Sequence, residues 1–172
     1  MYGIREINFS ELEFCLILVE NLNVNIYINK EDCVEGRKIQ KSFEGKKFKV
    51  IHCKGAIESF EIAMSHVDPH RRKSFKRGMV MQIQRLADGH RMSKESFPQE
   101  GDLPKRNNQS TTKKFNALKR IPIRGYCWLS TVIPNTYFIS HYVYKDYDKL
   151  KEKDTSIVGK NWTRIEVNGD EC

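Results

Sequence analysis

The sequence predicts an α+β fold in the order β-α-α-β-β-β with a closing helix, preceded by a small β-rich extension. Three observations carry this. Two consecutive segments between residues 55 and 89 repeat apolar residues at helical spacing, and three segments between residues 114 and 144 have strand character with turn residues between them. The helices and the later strands fall in separate runs rather than alternating, which favours an antiparallel sheet with the helices segregated on one face.

The elements follow in order. Leu12 to Val19 is apolar apart from Glu13, Val24 to Ile28 alternates, and the Asn-rich Glu20 to Asn23 lies between them. This reads as a hairpin, with a short helix over residues 9–20 as the alternative. Gly36 to Gly45 is polar, charged and bounded by glycines, so it divides an extension, residues 1–45, from a main domain, residues 46–172. Phe48 to Cys53 has strand character, and from Gly55 onward Ile57, Phe60, Met64 and Val67 mark a first helix. Asp68-Pro69 then supplies an N-cap and the proline favoured at the first helical position. Phe75, Met79, Ile83 and Leu86 continue a second helix as far as Gly89. Gly89 to Thr112 lacks periodicity and reads as a long basic loop. Strands are expected near Lys114 to Lys119, Ile123 to Val132 and Thr136 to Tyr144, with Pro134-Asn135 as the last turn. Asp154 can cap a closing helix carrying Ile157, Val158, Trp162 and Ile165 on one side.

Composition narrows the function. The 172 residues carry 30 Lys+Arg against 22 Asp+Glu, a net charge of +8. The segment Arg71 to Arg124 alone holds a local +11, so the rest of the chain is slightly acidic. Such a concentrated field attracts polyanions, with nucleic acid the leading partner and an acidic protein the next. No apolar run approaches the ~20 residues of a membrane span, and Met1 to Ser10 lacks the order of a signal peptide, so a cytoplasmic location is expected. Five widely spread cysteines signal neither a disulfide framework nor a zinc ribbon. The five histidines show no metal spacing, and no GxGxxG, GxxxxGK[ST], HExxH or GxSxG appears. Neither a metal nor any other cofactor is therefore expected.

The informative stretch runs from Tyr137 to Leu150, where an apolar strand passes into the dense set Tyr144-Lys145-Asp146-Tyr147-Asp148-Lys149. Before it, Leu118 to Trp128 passes from basic to aromatic. Over roughly residues 46–166 this chain resembles the RelE/HigB superfamily of ribosome-associated mRNA interferase toxins. The resemblance rests on the DYDK part of the terminal motif, the basic strand before it and the element order. The chain departs from the family in two places: His141 is out of register with the HigB-like histidine, and Asp146 follows Lys145 where RelE carries an arginine.

The resemblance implies a twisted sheet under a helical hairpin, a cognate antitoxin protein, growth arrest on expression, and cleavage of mRNA by its own ribose 2′-OH without a metal. That chemistry needs cations around the phosphate, a proton acceptor for the 2′-OH and a donor for the leaving 5′-oxygen. The catalytic candidates are Arg124, His141, Lys145 and Tyr147, with a Lys or Tyr pKa expected to fall towards neutrality among gathered cations. Lys105, Arg106, Lys113 and Lys114 suit phosphate contacts from the long loop. Lys119, Arg120 and Lys149 add charge, and Tyr126, Tyr144 and Tyr147 suit stacking on splayed bases. Trp128 and Trp162 read as packing. Two competing readings are a basic domain that grips nucleic acid without turnover, and an interaction protein whose N-terminal hairpin pairs with a partner by strand addition.

Overall fold

The computed structural model describes residues 39–105, 112–145 and 150–171. The expected hairpin or helix within residues 1–38 lies outside them. The architecture is α+β: strands β1 (Ser42–Glu44), β2 (Lys49–His52), β3 (Gln99–Asp102), β4 (Lys114–Arg120), β5 (Ile123–Leu129) and β6 (Thr136–Tyr144), with helices α1 (Ala56–Ser65), α2 (Pro69–Ala87) and α3 (Glu152–Trp162). A π-helical turn, Thr163–Val167, extends α3. Among the described residues, no helix is long and apolar enough to cross a membrane.

Among the described residues, six strands form one open sheet in the order β1-β2-β6-β5-β4-β3. The sheet is mixed, not antiparallel throughout, because β2 lies parallel to β6 with Val50 opposite Tyr137. Hairpin signals specify only strands joined by short turns. The β2–β6 pair is joined through both helices and three further strands, a connection long enough for a parallel neighbour.

Two strands lie where none was expected. β3 falls in the segment read as a loop and pairs antiparallel with β4 through a bulge between Gln99 and Gly101. β1 falls in the segment read as a linker and pairs with β2, and Phe43 and Ile39 enter the main core.

The helices follow their sequence signals. At the start of α2 the Asp68 carboxylate accepts the His70 backbone N–H at 2.8 Å, and Phe75, Met79, Ile83 and Leu86 are buried. Ser59 of α1 accepts the Tyr142 N–H at 2.9 Å, which fixes α1 on β6. Helix α3 starts before the residue expected to cap it: Lys151 is the N-cap, and Asp154 sits inside the helix, buried. The π-helical turn is tied to the β5–β6 connection by Glu166, whose carboxylate accepts the Trp128 Nε1–H at 3.1 Å and the Thr131 N–H at 2.9 Å.

Both sheet faces are covered. Leu118, Ile123, Cys127, Ile139 and Tyr142 pack under α1 and α2, whereas Phe115, Ala117, Tyr126, Trp128 and Phe138 pack under Val158, Trp162 and Ile165. Gly45 lets the β1–β2 turn close on the end of α2, where the Phe48 N–H donates to the Ala87 carbonyl at 2.8 Å. A Cβ at Gly45 would stand 2.2 Å from the Ala87 carbonyl carbon.

Gly45→Ala is therefore expected to destabilise the fold by about 2–3 kcal/mol, through a backbone clash that no side-chain rotation relieves, read by urea unfolding. A second expectation concerns His52, which is buried and bonded to the Tyr142 hydroxyl at 2.7 Å. Burial lowers its pKa to about 4. The unfolded state, with a pKa of about 6.5, then binds more protons between these values, so this contribution is present above pH 6.5 and is lost as pH falls. Wild type should lose about 2–3 kcal/mol more than His52→Gln between pH 7 and pH 4.5 in urea unfolding.

Candidate functional site

Strand alternation would place Ser140 and His141 on opposite faces of β6. A bulge prevents this. Tyr126 pairs with His141 and Cys127 with Ile139, so Ser140 is the extra residue. Ile139 and Tyr142 stay on the hairpin side. Ser140 and His141 both turn to α3, where Asn161 Nδ2 donates to Ser140 Oγ at 2.9 Å and His141 Nε2 lies 3.9 Å from Asp154 Oδ1.

On the same face, Lys119 of β4 stands directly opposite Arg124 of β5. Glu100 of β3 reaches both, at 2.6 Å from Lys119 Nζ and 3.7 Å from the Arg124 guanidinium. Lys145, just past β6, is 1% exposed, and its Nζ donates to the Tyr126 hydroxyl at 3.4 Å. That hydroxyl in turn lies 3.5 Å from Asp154 Oδ2. Ser140 Oγ and His141 Nδ1 are 3.0 Å apart. The result is a polar layer between sheet and α3: Lys119, Glu100 and Arg124 at one end, then Lys145, Tyr126, Asp154, His141 and Ser140. Lys119 and Glu100 are the members nearest to water, their side chains 16% and 11% exposed.

The electrostatics divide these groups by role. Burial lowers the Lys145 pKa, Arg124 and Lys119 push it the same way, and Asp154 and Glu100 oppose them. Burial lowers His141 too, against the raising effect of Asp154. Tyr126 moves upward, by burial and then by the Asp154 and Glu100 charges, so it stays a phenol and acts as a hydrogen-bond donor. The expected downward shift thus falls on the lysine and not on this tyrosine. A lysine whose ammonium form is disfavoured and a histidine held near a carboxylate, beside two fixed cations, are the kinds of group that acid–base chemistry at a phosphate uses.

The candidate residues separate by position. Arg124, His141, Lys145 and Lys119 come together in the polar layer. Tyr126 joins them but is 0% exposed, held edge-on to Phe115 and beside His141, so it offers no face to a base. Arg120 and Tyr144 lie on the opposite face, against Phe75 of α2 and His66 at the end of α1. Lys105, Lys113 and Lys114 are exposed near the far end of β4, and Lys114 lies 3.8 Å from Asp102. Lys114 is five residues from Lys119, about 17 Å along a strand. Tyr147, Arg106 and Lys149 lie outside the described residues. Trp128 of β5 and Trp162 of α3 pack in the core between the sheet and α3, in the expected role.

Glu100, Asp154, Ser140 and Asn161 are members that sequence reasoning missed. Glu100 sits on a strand with no strand signature, and the polarity of Asp154 near a helix start signals a cap as readily as a charge partner.

Asp154→Asn is expected to lower the His141 pKa further, because it removes the charge that favours imidazolium. An NMR titration of the His141 ring protons reads this directly. The same substitution should cost about 3 kcal/mol of stability, since it removes one of the two carboxylates whose charge favours the buried Lys145 ammonium. A scan against protein-family models, a search of curated proteins and a search of solved structures each returned no match, so the meaning of the site rests on these residues and their geometry.

Proposed function

We propose that this protein is a toxin-like endoribonuclease that cleaves mRNA through attack of a ribose 2′-OH on the adjacent phosphate. The observation that carries this is the meeting of Lys119, Arg124 and Lys145 with His141 and Asp154 in one polar layer. The sequence of β2, α1, α2, β4, β5 and β6 supports the RelE/HigB-like reading, with β1 and β3 as additions.

In this reading the phosphate displaces Glu100 from Lys119 and Arg124. Glu100 sits on β3, a four-residue strand that pairs with β4 alone among the described strands, so its movement disturbs little of the sheet. The two cations then neutralise charge that grows on the phosphoryl oxygens. Lys145, neutral in the fraction set by its lowered pKa, accepts the 2′-OH proton as the oxygen attacks phosphorus. The phosphorus–O5′ bond breaks, and His141, in the imidazolium form that the Asp154 charge favours against burial, gives a proton to the leaving oxygen. The products are a 2′,3′-cyclic phosphate and a 5′-hydroxyl. Action at the ribosome, a cytoplasmic location and a cognate antitoxin belong to the same proposal.

Induced expression of wild type beside Lys119→Met and Arg124→Lys, with growth and a defined mRNA followed, tests the reading. Wild type should arrest growth and leave fragments with cyclic phosphate ends, and each variant should cleave about a hundredfold more slowly while keeping its circular dichroism spectrum. Normal growth with intact mRNA under wild-type expression would replace this reading with a basic domain that binds RNA without turnover. The exposed Arg71, Arg72, Lys73, Arg77 and Arg85 along α2 favour that alternative.

A further inference from the structure

The polar layer faces α3, yet much of the basic charge stands on the other face of the sheet. Helix α2 has no acidic residue in its nineteen. Near its N-terminus, Phe75 carries two guanidinium groups: Arg71 Cζ lies 5.1 Å and Arg120 Cζ 5.5 Å from the ring centroid. Both arginines are exposed, and among the described residues neither has a carboxylate partner. The nearby Glu61 is held by Lys76 at 2.9 Å, and the Asp68 carboxylate caps α2.

The reach of Arg120 depends on a glycine. A Cβ at Gly78, in the middle of α2, would stand 2.7 Å from Arg120 Nε. Glycine in a helix interior is less favourable than alanine, so the helix gives up stability at the point where this side chain crosses it.

An aromatic group completes the surface. Arg120 is paired with Ile123, and Ile123 with Tyr144, so the three form a row across β4, β5 and β6. Two strand spacings put Arg120 and Tyr144 about 10 Å apart. Tyr144 is 38% exposed and tilted against the exposed His66 ring, with centroids 5.4 Å apart.

Paired exposed guanidiniums beside exposed aromatic rings match the phosphates and base faces of single-stranded RNA. The row also borders the polar layer. Lys119 adjoins Arg120, Arg124 adjoins Ile123, and Lys145 adjoins Tyr144, each on the opposite face of the same sheet end. We propose that Arg71, Arg120, Tyr144 and His66 form a second RNA-contact surface, which takes the segment flanking the one in the polar layer as a single strand crosses the β4–β5 turn. This rests on RNA as the ligand of the proposed function, but not on cleavage.

The test uses a fluorescein-labelled, mixed-sequence 2′-O-methyl RNA 12-mer, which has no 2′-OH to attack, in anisotropy titrations at several salt concentrations. Arg71→Gln/Arg120→Gln is expected to weaken binding at least tenfold and to reduce the salt slope by about 1 or more. Tyr144→Ala should weaken the single strand several-fold and leave a duplex of the same sequence unchanged. Gly78→Ala is the decisive variant. It should raise the melting temperature, because Arg120 can swing away and the helix gains alanine, yet weaken RNA binding. Wild-type affinity in Arg71→Gln/Arg120→Gln, or no binding by the wild-type protein, would overturn the second surface. Equal loss for strand and duplex in Tyr144→Ala would overturn its single-strand assignment. Cleavage of ordinary RNA by the wild type, scored in parallel, reports separately on the proposed function: binding without cleavage removes the enzyme reading and leaves this surface standing.

Discussion

The arrangement depends on one extra residue in β6. Without the bulge at Ser140, period-two alternation would carry a single set of side chains along each face of the strand. With it, Ile139 and Tyr142 both serve the core beneath the helical hairpin, while Ser140 and His141 both serve the layer beneath α3. The phase change lets one central strand supply a continuous apolar surface on one side and two adjacent polar groups on the other. It also decides where the end of the strand points, sending Tyr144 to the hairpin side and Lys145 into the polar layer.

Much of the fold was legible because local chemistry and tertiary need agree. Asp68-Pro69 and the 4, 4, 3 spacing from Phe75 to Leu86 specify α2 by themselves, and Pro134-Asn135 marks the last turn, with Asn135 at φ 52°. β3 was not legible, since Gln-Glu-Gly-Asp has little strand preference and is held extended by β4. Nor was β1, whose single buried residue, Phe43, is masked by the polar sequence around it. The candidate site divides in the same way. The cations at 119, 124 and 145 stand out by charge and motif. Glu100 and Asp154 become their partners only through the β3–β4 pairing and the docking of α3, which no local pattern encodes. The burial of Tyr126 was hidden as well, because a tyrosine in a strand reads alike on either face.

Polar burial on this scale is costly. Three cations, two carboxylates and an imidazole are withdrawn from water, and their mutual attraction offsets that cost only while each keeps its place. The layer therefore works less as a source of stability than as a demand for one geometry: β3, β5, β6 and α3 must all dock correctly, or a charge is stranded. Apolar contacts supply the cohesion on both sides of the sheet, from Phe60 and Met79 on one face and Trp128 and Trp162 on the other.

The outer strands of the sheet carry a last consequence. An open sheet exposes unpaired backbone groups at its margins, and these can recruit strands from other molecules into aggregates. Among the described residues, one outer strand is three residues long and carries Glu44, and the other is four residues long, acidic and bulged. Neither offers the long, flat, apolar template on which such growth depends. The two strands that sequence reading passed over are, by their shortness and charge, what keeps the apolar strands between them from being the sheet's edge.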